Sequence, residues 1–145
     1  MLGPTGYGAL SLGMTKAEAQ ATGLTTGITT SGKGNCGAGD GYLAGSPTPS
    51  DVSLPGRLFF SARTGRLVAI DAFGDVKTPQ GIRLGSSYAQ LHAAYPTWRA
   101  IGPDSTYGRG GVAVPGNSHA GYRIVANGKV VVELSLDSDA QDCYE

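Results

Sequence analysis

The sequence has little charge and no long apolar segment. Of its 145 residues, 15% are Asp, Glu, Lys or Arg, and the 11 basic residues balance the 11 acidic ones. A neutral chain has no overall field that would draw it to nucleic acid, so we expect no nucleic-acid partner. No apolar run approaches the roughly 18 residues that a membrane helix requires, so we also expect no transmembrane segment.

Histidine and cysteine are scarce as well. The histidines are His92 and His119, and the cysteines are Cys36 and Cys143. Neither cysteine belongs to a CxxC motif or lies among histidines, as metal and redox sites require. We therefore predict a disulfide between Cys36 and Cys143, the alternative being two free thiols in a reducing cytosol.

Glycine is abundant, with 24 glycines and 8 prolines in the chain. A turn-rich chain with a surface of Ser, Thr, Gly and Asn is typical of secreted proteins. The N-terminal residues 1–5 contain no basic and apolar signal regions, so we expect a secreted or cell-surface protein whose leader is absent from this sequence. The length fits one compact domain.

A repeated helix start is the strongest internal signal. Thr15 with Glu18, and Ser87 with Gln90, have the spacing of a capping box, in which the N-cap hydroxyl and the third side chain exchange hydrogen bonds with the backbone. These signals predict short helices over about 16–22 and 88–95.

Each predicted helix is followed by a β-hairpin. The first pairs 57–62 with 66–71 and the second pairs 121–125 with 129–134, and the Asn127-Gly128 turn favours type I′. A further strand is predicted in each copy, at 41–44 and 111–114. The pattern predicts an α+β fold of two helix-plus-hairpin repeats, residues 1–77 and 78–145. They would form one antiparallel sheet of about six strands, with both short helices packed on one face.

The Gly13-Met14-Thr15 helix start followed by a hairpin, used twice, resembles two related groups. These are the tandem-repeat β-lactamase inhibitory proteins and the BamE-like lipoprotein domains, in a form similar to secreted proteins of actinobacterial type. The resemblance implies the same fold. The inhibitory proteins have a disulfide inside each repeat, whereas Cys36 and Cys143 would span both, and no residues here match the inhibitory loops. The resemblance therefore does not extend to lactamase inhibition.

Cofactor and metal motifs are matched only in part. Residues 32–37 satisfy G-x-G-x-x-G, but no strand precedes them and no helix begins after them. Residues 27–33 resemble the start of a P-loop, but Gly34 stands where a magnesium-binding Ser or Thr is needed. The acids of residues 137–142 lack the turn glycine and final glutamate of a calcium loop. We expect no cofactor and no bound metal.

Candidate binding residues follow the second helix. Trp98, Tyr107 and Arg109 lie in a loop-rich stretch where small residues surround Tyr107, as in adaptable binding loops. We predict that these three lie close together and partly exposed, with core burial as the alternative for Trp98. His119, in a second loop, is a further candidate.

These features favour a non-catalytic protein-binding module, secreted or lipid-tethered and inhibitor-like in its mode of action. Its partner would be another extracellular or envelope protein. One alternative is a secreted hydrolase that uses His119 with an acid such as Asp104, although no G-x-S-x-G motif occurs. The other alternative is a structural domain of an envelope lipoprotein.

Overall fold

The computed structural model of the protein describes residues 1–29, 32–35, 39–47 and 55–143. Within these ranges the chain forms two short helices and nine strands. In order they are β1 (Gly6–Tyr7), β2 (Leu10–Ser11), α1 (Lys16–Ala21), β3 (Thr25–Thr26), β4 (Tyr42–Leu43), β5 (Leu58–Phe60), β6 (Leu67–Asp71), α2 (Tyr88–Ala94), β7 (Tyr107–Val114), β8 (Asn117–Asn127) and β9 (Val131–Ser138).

The predicted α+β fold is wrong, because the structure is mostly β. A five-stranded antiparallel sheet of order β5-β6-β9-β8-β7 is accompanied, in the described ranges, by the two-stranded sheets β1-β2 and β3-β4. The helices have 6 and 7 residues, and each buries one side chain, Ala19 and Leu91. Helices this short do not form a layer over a sheet. Side chains from the small sheets and loops, such as Leu10, Leu43 and Trp98, complete the core instead.

The prediction of about six strands in one sheet failed at residues 41–44. β4 pairs with β3 in a separate sheet, and it contacts β5 through an isolated bridge between Tyr42 and Arg57. The second predicted extra strand, 111–114, is the end of the longer strand β7. The sheet therefore takes two strands from the first half of the chain and three from the second.

The centre of the sheet joins the two halves of the chain. β6 and β9 pair antiparallel, with Ile70 opposite Leu136 and Asp71 opposite Ser135. The Ile70–Leu136 pair faces the core, where it packs with Tyr122 and Ile124 of β8. Because successive side chains of a strand point to opposite faces, Asp71 and Ser135 lie on the other face.

Both helix starts form as predicted. The hydroxyl of Thr15 accepts from Glu18 N at 3.2 Å and that of Ser87 accepts from Gln90 N at 3.1 Å, while the Glu and Gln side chains accept from the N-cap N–H groups. A capping box needs only residues within one turn, which explains why the sequence predicted it.

The type I′ turn predicted at Asn127-Gly128 is wrong. Such a turn needs positive φ at both central residues, and only Gly128 has it, at 87°. The side chain of Asn127 instead accepts from the N–H groups of Lys129 and Val130, at 3.0 and 2.9 Å. Asn127 therefore ends β8 through its side chain, and a longer loop leads into β9.

No helix in the described part of the chain is long and apolar enough to cross a membrane.

Candidate functional site

The candidate site lies on the face of the five-stranded sheet that points away from the hydrophobic core. Arg123 of β8 lies between two core-facing residues, Tyr122 and Ile124, and is paired with Ser135 of β9 on one side and Gly111 of β7 on the other. Paired residues share a face. We call this face the polar face and define it by Asp71, Arg109, Gly111, Gly121, Arg123, Ser135 and Asp137.

A cleft of about 270 Å³ opens on the polar face. Its floor includes Gly111 and Gly121, and its walls include Ile101, Arg109, Arg123 and Asp137. The paired strands β7 and β8 bring two glycines to this point, so no side chain fills the space above the sheet. A concave site with an accessible backbone and a few polar side chains is the usual form of a binding site.

The walls of the cleft are organised by polar contacts between neighbouring strands. Arg123 Nη1 donates to Glu133 Oε2 at 3.2 Å, and Ser135 Oγ donates to Asp137 Oδ1 at 2.8 Å. Ser135 is buried, so its hydroxyl holds the Asp137 carboxylate from within the sheet. The polar face thus presents both signs of charge in fixed positions.

Asp71 is the titratable group at the centre of this face. Desolvation by burial raises the pKa of Asp71 to about 7. The guanidinium of Arg57, whose Nε lies 3.8 Å from Asp71 Oδ2, lowers this pKa, whereas the carboxylates of Asp137 and Glu133 raise it further. Burial is the largest of these effects, so Asp71 changes charge near neutral pH.

The C-terminal segment covers the β5–β6 end of the same face. Phe59, Val68 and Ala69 form a small apolar cluster against which Cys143 packs. Ser61 Oγ donates to Asp142 Oδ2 at 2.9 Å and helps to hold the segment down. The cleft therefore lies at the uncovered β7–β8 end.

Tyr107 and Arg109 both lie on β7, and Trp98 does not join them at the surface. Tyr107 is 63% exposed and sits two residues from Arg109 on β7, on the same side of the strand. Trp98 is fully buried, with its Nε1 behind Gly110 on the core side of β7. The prediction that Trp98 is partly exposed is therefore wrong, and core burial is its role.

His119 lies apart from the cleft. It belongs to β8, its side chain is 82% exposed, and its Nδ1 lies 3.1 Å from Asp139 Oδ2. Asp104, the acid suggested for a hydrolase, instead accepts from the backbone N–H and the hydroxyl of Thr106, which lower the pKa of Asp104. No contact joins His119 to Asp104 in the described part of the chain.

The disulfide between Cys36 and Cys143 stays a prediction, because Cys36 lies outside the described residues. Its described neighbour Asn35 donates its N–H to Asp40, and Asp40 also accepts from Phe60 N at 3.0 Å. The Cys143 sulfur lies 4.0 Å from Phe60 O. Asn35 and Cys143 therefore both lie beside β5.

Asp40 is a buried acid that no motif in the sequence singles out. Its side chain is 1% exposed and lies 3.5 Å from Lys16 Nζ at the start of α1. It also accepts from the hydroxyl of Thr29 at 3.3 Å. With Asn35 and Phe60 as further donors, Asp40 ties the glycine-rich loop to α1 and β5, which is a structural role.

Sequence reasoning missed most of the polar face. Arg123 alternates with Tyr122 and Ile124 in the printed sequence, so its placement on the outer face was readable. The sequence did not show that Arg123 shares this face with Asp71 and Asp137, because that depends on how β6, β9 and β8 pair. In the described ranges no group of three or more His, Cys, Asp or Glu side chains could hold a metal ion.

Comparison of the chain with protein-family models, with curated proteins and with solved structures finds no match. The resemblance to the β-lactamase inhibitory and BamE-like groups therefore stays a hypothesis.

Proposed function

We propose that the protein is a non-catalytic protein-binding module, secreted or tethered at the cell surface, whose partner is another extracellular or envelope protein. The observation that carries the proposal is the cleft on the polar face beside the exposed Tyr107. Tyr and Arg are enriched among the residues that dominate binding energies; Arg109 lines this cleft, and Tyr107 lies two residues before it on β7.

The rim of the cleft favours a protein partner. Ile101 is 71% exposed and Tyr107 is 63% exposed, and the N–H of Ile101 donates to Arg109 O at 2.7 Å, which holds the two apolar side chains near the same strand. Contiguous exposed apolar surface rimmed by polar residues marks protein–protein interaction sites, and we propose that Ile101 and Tyr107 supply such surface here. Arg109, Arg123 and Asp137 would then orient the partner through polar contacts.

Site-specific photo-crosslinking in the native organism tests the proposal. A photoreactive phenylalanine derivative replaces Tyr107 in one variant and His92, an exposed ring on α2 away from the polar face, in the control. We expect one defined protein to be crosslinked from position 107 and not from position 92.

The partner so identified is then purified and its affinity measured. Because Tyr107 supplies the exposed aromatic contact, Tyr107→Ala should weaken binding at least about tenfold, whereas His92→Ala should leave the affinity unchanged. Equal crosslinking from both positions, or an affinity that does not respond to Tyr107→Ala, contradicts the proposal.

A further inference from the structure

We propose that the outer edge of β7, at 111–113, binds an extended strand of the partner protein through backbone hydrogen bonds. This inference rests on the proposed function and adds the mode of recognition. It is carried by a comparison of equivalent contacts in the two halves of the chain.

The two helix starts make the same contacts with the two hairpins. Gly13 N donates to Leu67 O at the start of β6, and Gly85 N donates to Val131 O at the start of β9, both at 2.8 Å. The two glycines have φ values of 91° and 88°. Each N-cap residue then forms an isolated bridge with the residue that precedes the strand. Residues in the two halves can therefore be matched through their contacts.

The match extends to the strand beside each hairpin. Tyr42 is bridged to Arg57 in the first half, and Gly111 is paired with Arg123 in the second. On the outer side of these strands, Thr29 N donates to Asp40 O at 3.0 Å and Ile101 N donates to Arg109 O at 2.7 Å. The separations 101 − 29 and 87 − 15 are both 72, so these outer contacts are equivalent in the same alignment as the N-cap residues.

In the first half a strand completes the outer edge. β3 pairs antiparallel with β4, with Thr26 opposite Tyr42 and Thr25 opposite Leu43. Ala44 N extends the ladder by donating to Leu24 O at 2.8 Å. The segment that follows α1 thus covers the edge beyond the Thr29–Asp40 contact.

In the second half the equivalent segment turns away from the edge. Trp98 N donates to Tyr95 O at 3.0 Å, which closes a turn directly after α2, and the Trp98 side chain is buried in the core. Pro96 corresponds to Leu24, but it begins this turn and not a ladder with β7. The segment after α2 therefore pairs with β7 at Arg109 and does not continue to Gly111.

The remaining edge of β7 faces outward. The carbonyl of Arg109 points away from β8, and backbone direction alternates along a strand, so Gly111 and Ala113 also present their N–H and C=O groups outward. Both residues are exposed, and no backbone hydrogen bond reaches this side of them within the described ranges. An edge strand that must stay unpaired is usually protected by charged side chains or proline. Residues 111–113 contain neither.

The first half indicates what fits this edge. Its occupant is an antiparallel, uncharged, β-branched segment, Thr25-Thr26. A partner strand of the same kind would satisfy the backbone of Gly111 and Ala113, and it would pass beside the cleft, where Arg109 and Arg123 can read its side chains. Backbone pairing that gives affinity, with neighbouring pockets that give specificity, is an established mode of peptide recognition.

A peptide with the sequence of residues 23–29 is the probe. It is titrated at millimolar concentrations into the isotope-labelled full chain, and the amide resonances of Gly111 and Ala113 are followed by NMR. We expect shifts centred on 111–113. The control peptide is methylated on the backbone nitrogens of the threonines that correspond to Thr25 and Thr26, which prevents the ladder and should abolish these shifts.

A pair of variants tests the same edge. Ala113→Pro removes an outward N–H and should weaken peptide binding at least about tenfold, whereas Ala113→Ser keeps the N–H and should bind as the parent does. Proline is tolerated on an edge strand where the N–H faces solvent, and an unchanged spectrum away from β7 verifies folding. Shifts located elsewhere, or equal shifts with the methylated peptide, overturn the proposal.

Two further outcomes separate this proposal from the proposed function. If Tyr107 still crosslinks its partner with undiminished yield in the Ala113→Pro variant, the binding function stands and strand pairing is overturned. If the full chain is a dimer that Ala113→Pro converts to a monomer, the edge is occupied by a second copy and the partner-strand proposal is overturned as well.

Discussion

Replacing Asp71 by Asn tests whether the pKa of Asp71 is set mainly by burial or by the ion pair with Arg57. Asn has nearly the same shape as a protonated Asp and does not titrate. The folded chain raises the pKa of Asp71 to about 7, from 3.8 for an ordinary aspartate. The folded state therefore holds the proton more tightly than the unfolded state does.

The sign of the pH effect follows from this difference. Between pH 4 and pH 7 the unfolded chain has released the proton of Asp71 while the folded chain still binds it, so the free energy of unfolding falls as the pH rises. The pKa difference corresponds to about 4 kcal/mol as an upper figure, since one pKa unit is about 1.4 kcal/mol. This stability is fully present below pH 4 and is lost as the pH rises through about 7.

Urea unfolding at fixed ionic strength and several pH values measures the effect. We expect Asp71→Asn to lie within about 1 kcal/mol of the parent near pH 4.5 and to exceed its free energy of unfolding by up to about 4 kcal/mol at pH 8. Asp75→Asn removes an exposed carboxylate and serves as the control, with little change in the pH dependence.

An opposite result would refute the reasoning. If the Arg57–Asp71 contact of 3.8 Å dominated, Asp71→Asn would destabilise the protein at pH 8, because it would leave a partly buried guanidinium without its carboxylate. A difference between variant and parent that does not change from pH 4.5 to pH 8 would also refute a raised pKa for Asp71.

Two further predictions concern Trp98 and the cysteines. Because Trp98 is fully buried, Trp98→Ala should lower the free energy of unfolding by about 3–5 kcal/mol. Tyr107 is exposed, so Tyr107→Ala should change this free energy by no more than about 0.5 kcal/mol. Equal effects of the two substitutions in urea unfolding would contradict the burial of Trp98. Thiol titration of the denatured, unreduced protein should find no free cysteine, because a Cys36–Cys143 disulfide blocks both sulfurs, and two reactive thiols per chain would disprove it. Reduction should then destabilise the fold by at most about 4–5 kcal/mol, because the unfolded chain regains the conformational entropy that a closed loop of this length removes.

The features that the sequence predicted depend on residues close together in the chain. Thr15 and Ser87 are read as N-caps because their partners lie three residues away, and both capping boxes form. The strands of the second hairpin are long and alternate in hydrophobicity, so β8 and β9 were also visible. Local hydrogen bonding and periodicity carry this information without knowledge of the fold.

The features that it missed depend on long-range pairing. Whether β4 extends the main sheet or pairs with β3 is decided by the path of the chain after α1, which no local pattern encodes. The composition around Trp98 resembled a binding loop, but a single large aromatic gains more from burial than from exposure, and a turn onto Tyr95 makes that burial possible. Asp71 and Arg123 are both paired with Ser135, one on each side, and this placement can be known only from the register of three strands.

The difference between the two halves bears directly on function. After α1 the chain runs straight through Leu24 and Thr25 and closes the edge beside it, whereas after α2 Pro96 and Trp98 divert the chain into the core. As a result, the described residues after α2 form no counterpart of β3, and Trp98 becomes the largest fully buried side chain. β5 is covered on its outer side by contacts such as that of Leu58 N with Gly41 O, so among the described residues the main sheet has one open edge, at 111–113 of β7. That edge borders the cleft lined by Gly111, Gly121, Arg109 and Arg123, so the chain path that buries Trp98 also leaves the polar face beside this edge. The strand pairing that we propose would then take place at one edge, the one that the second half of the chain leaves open.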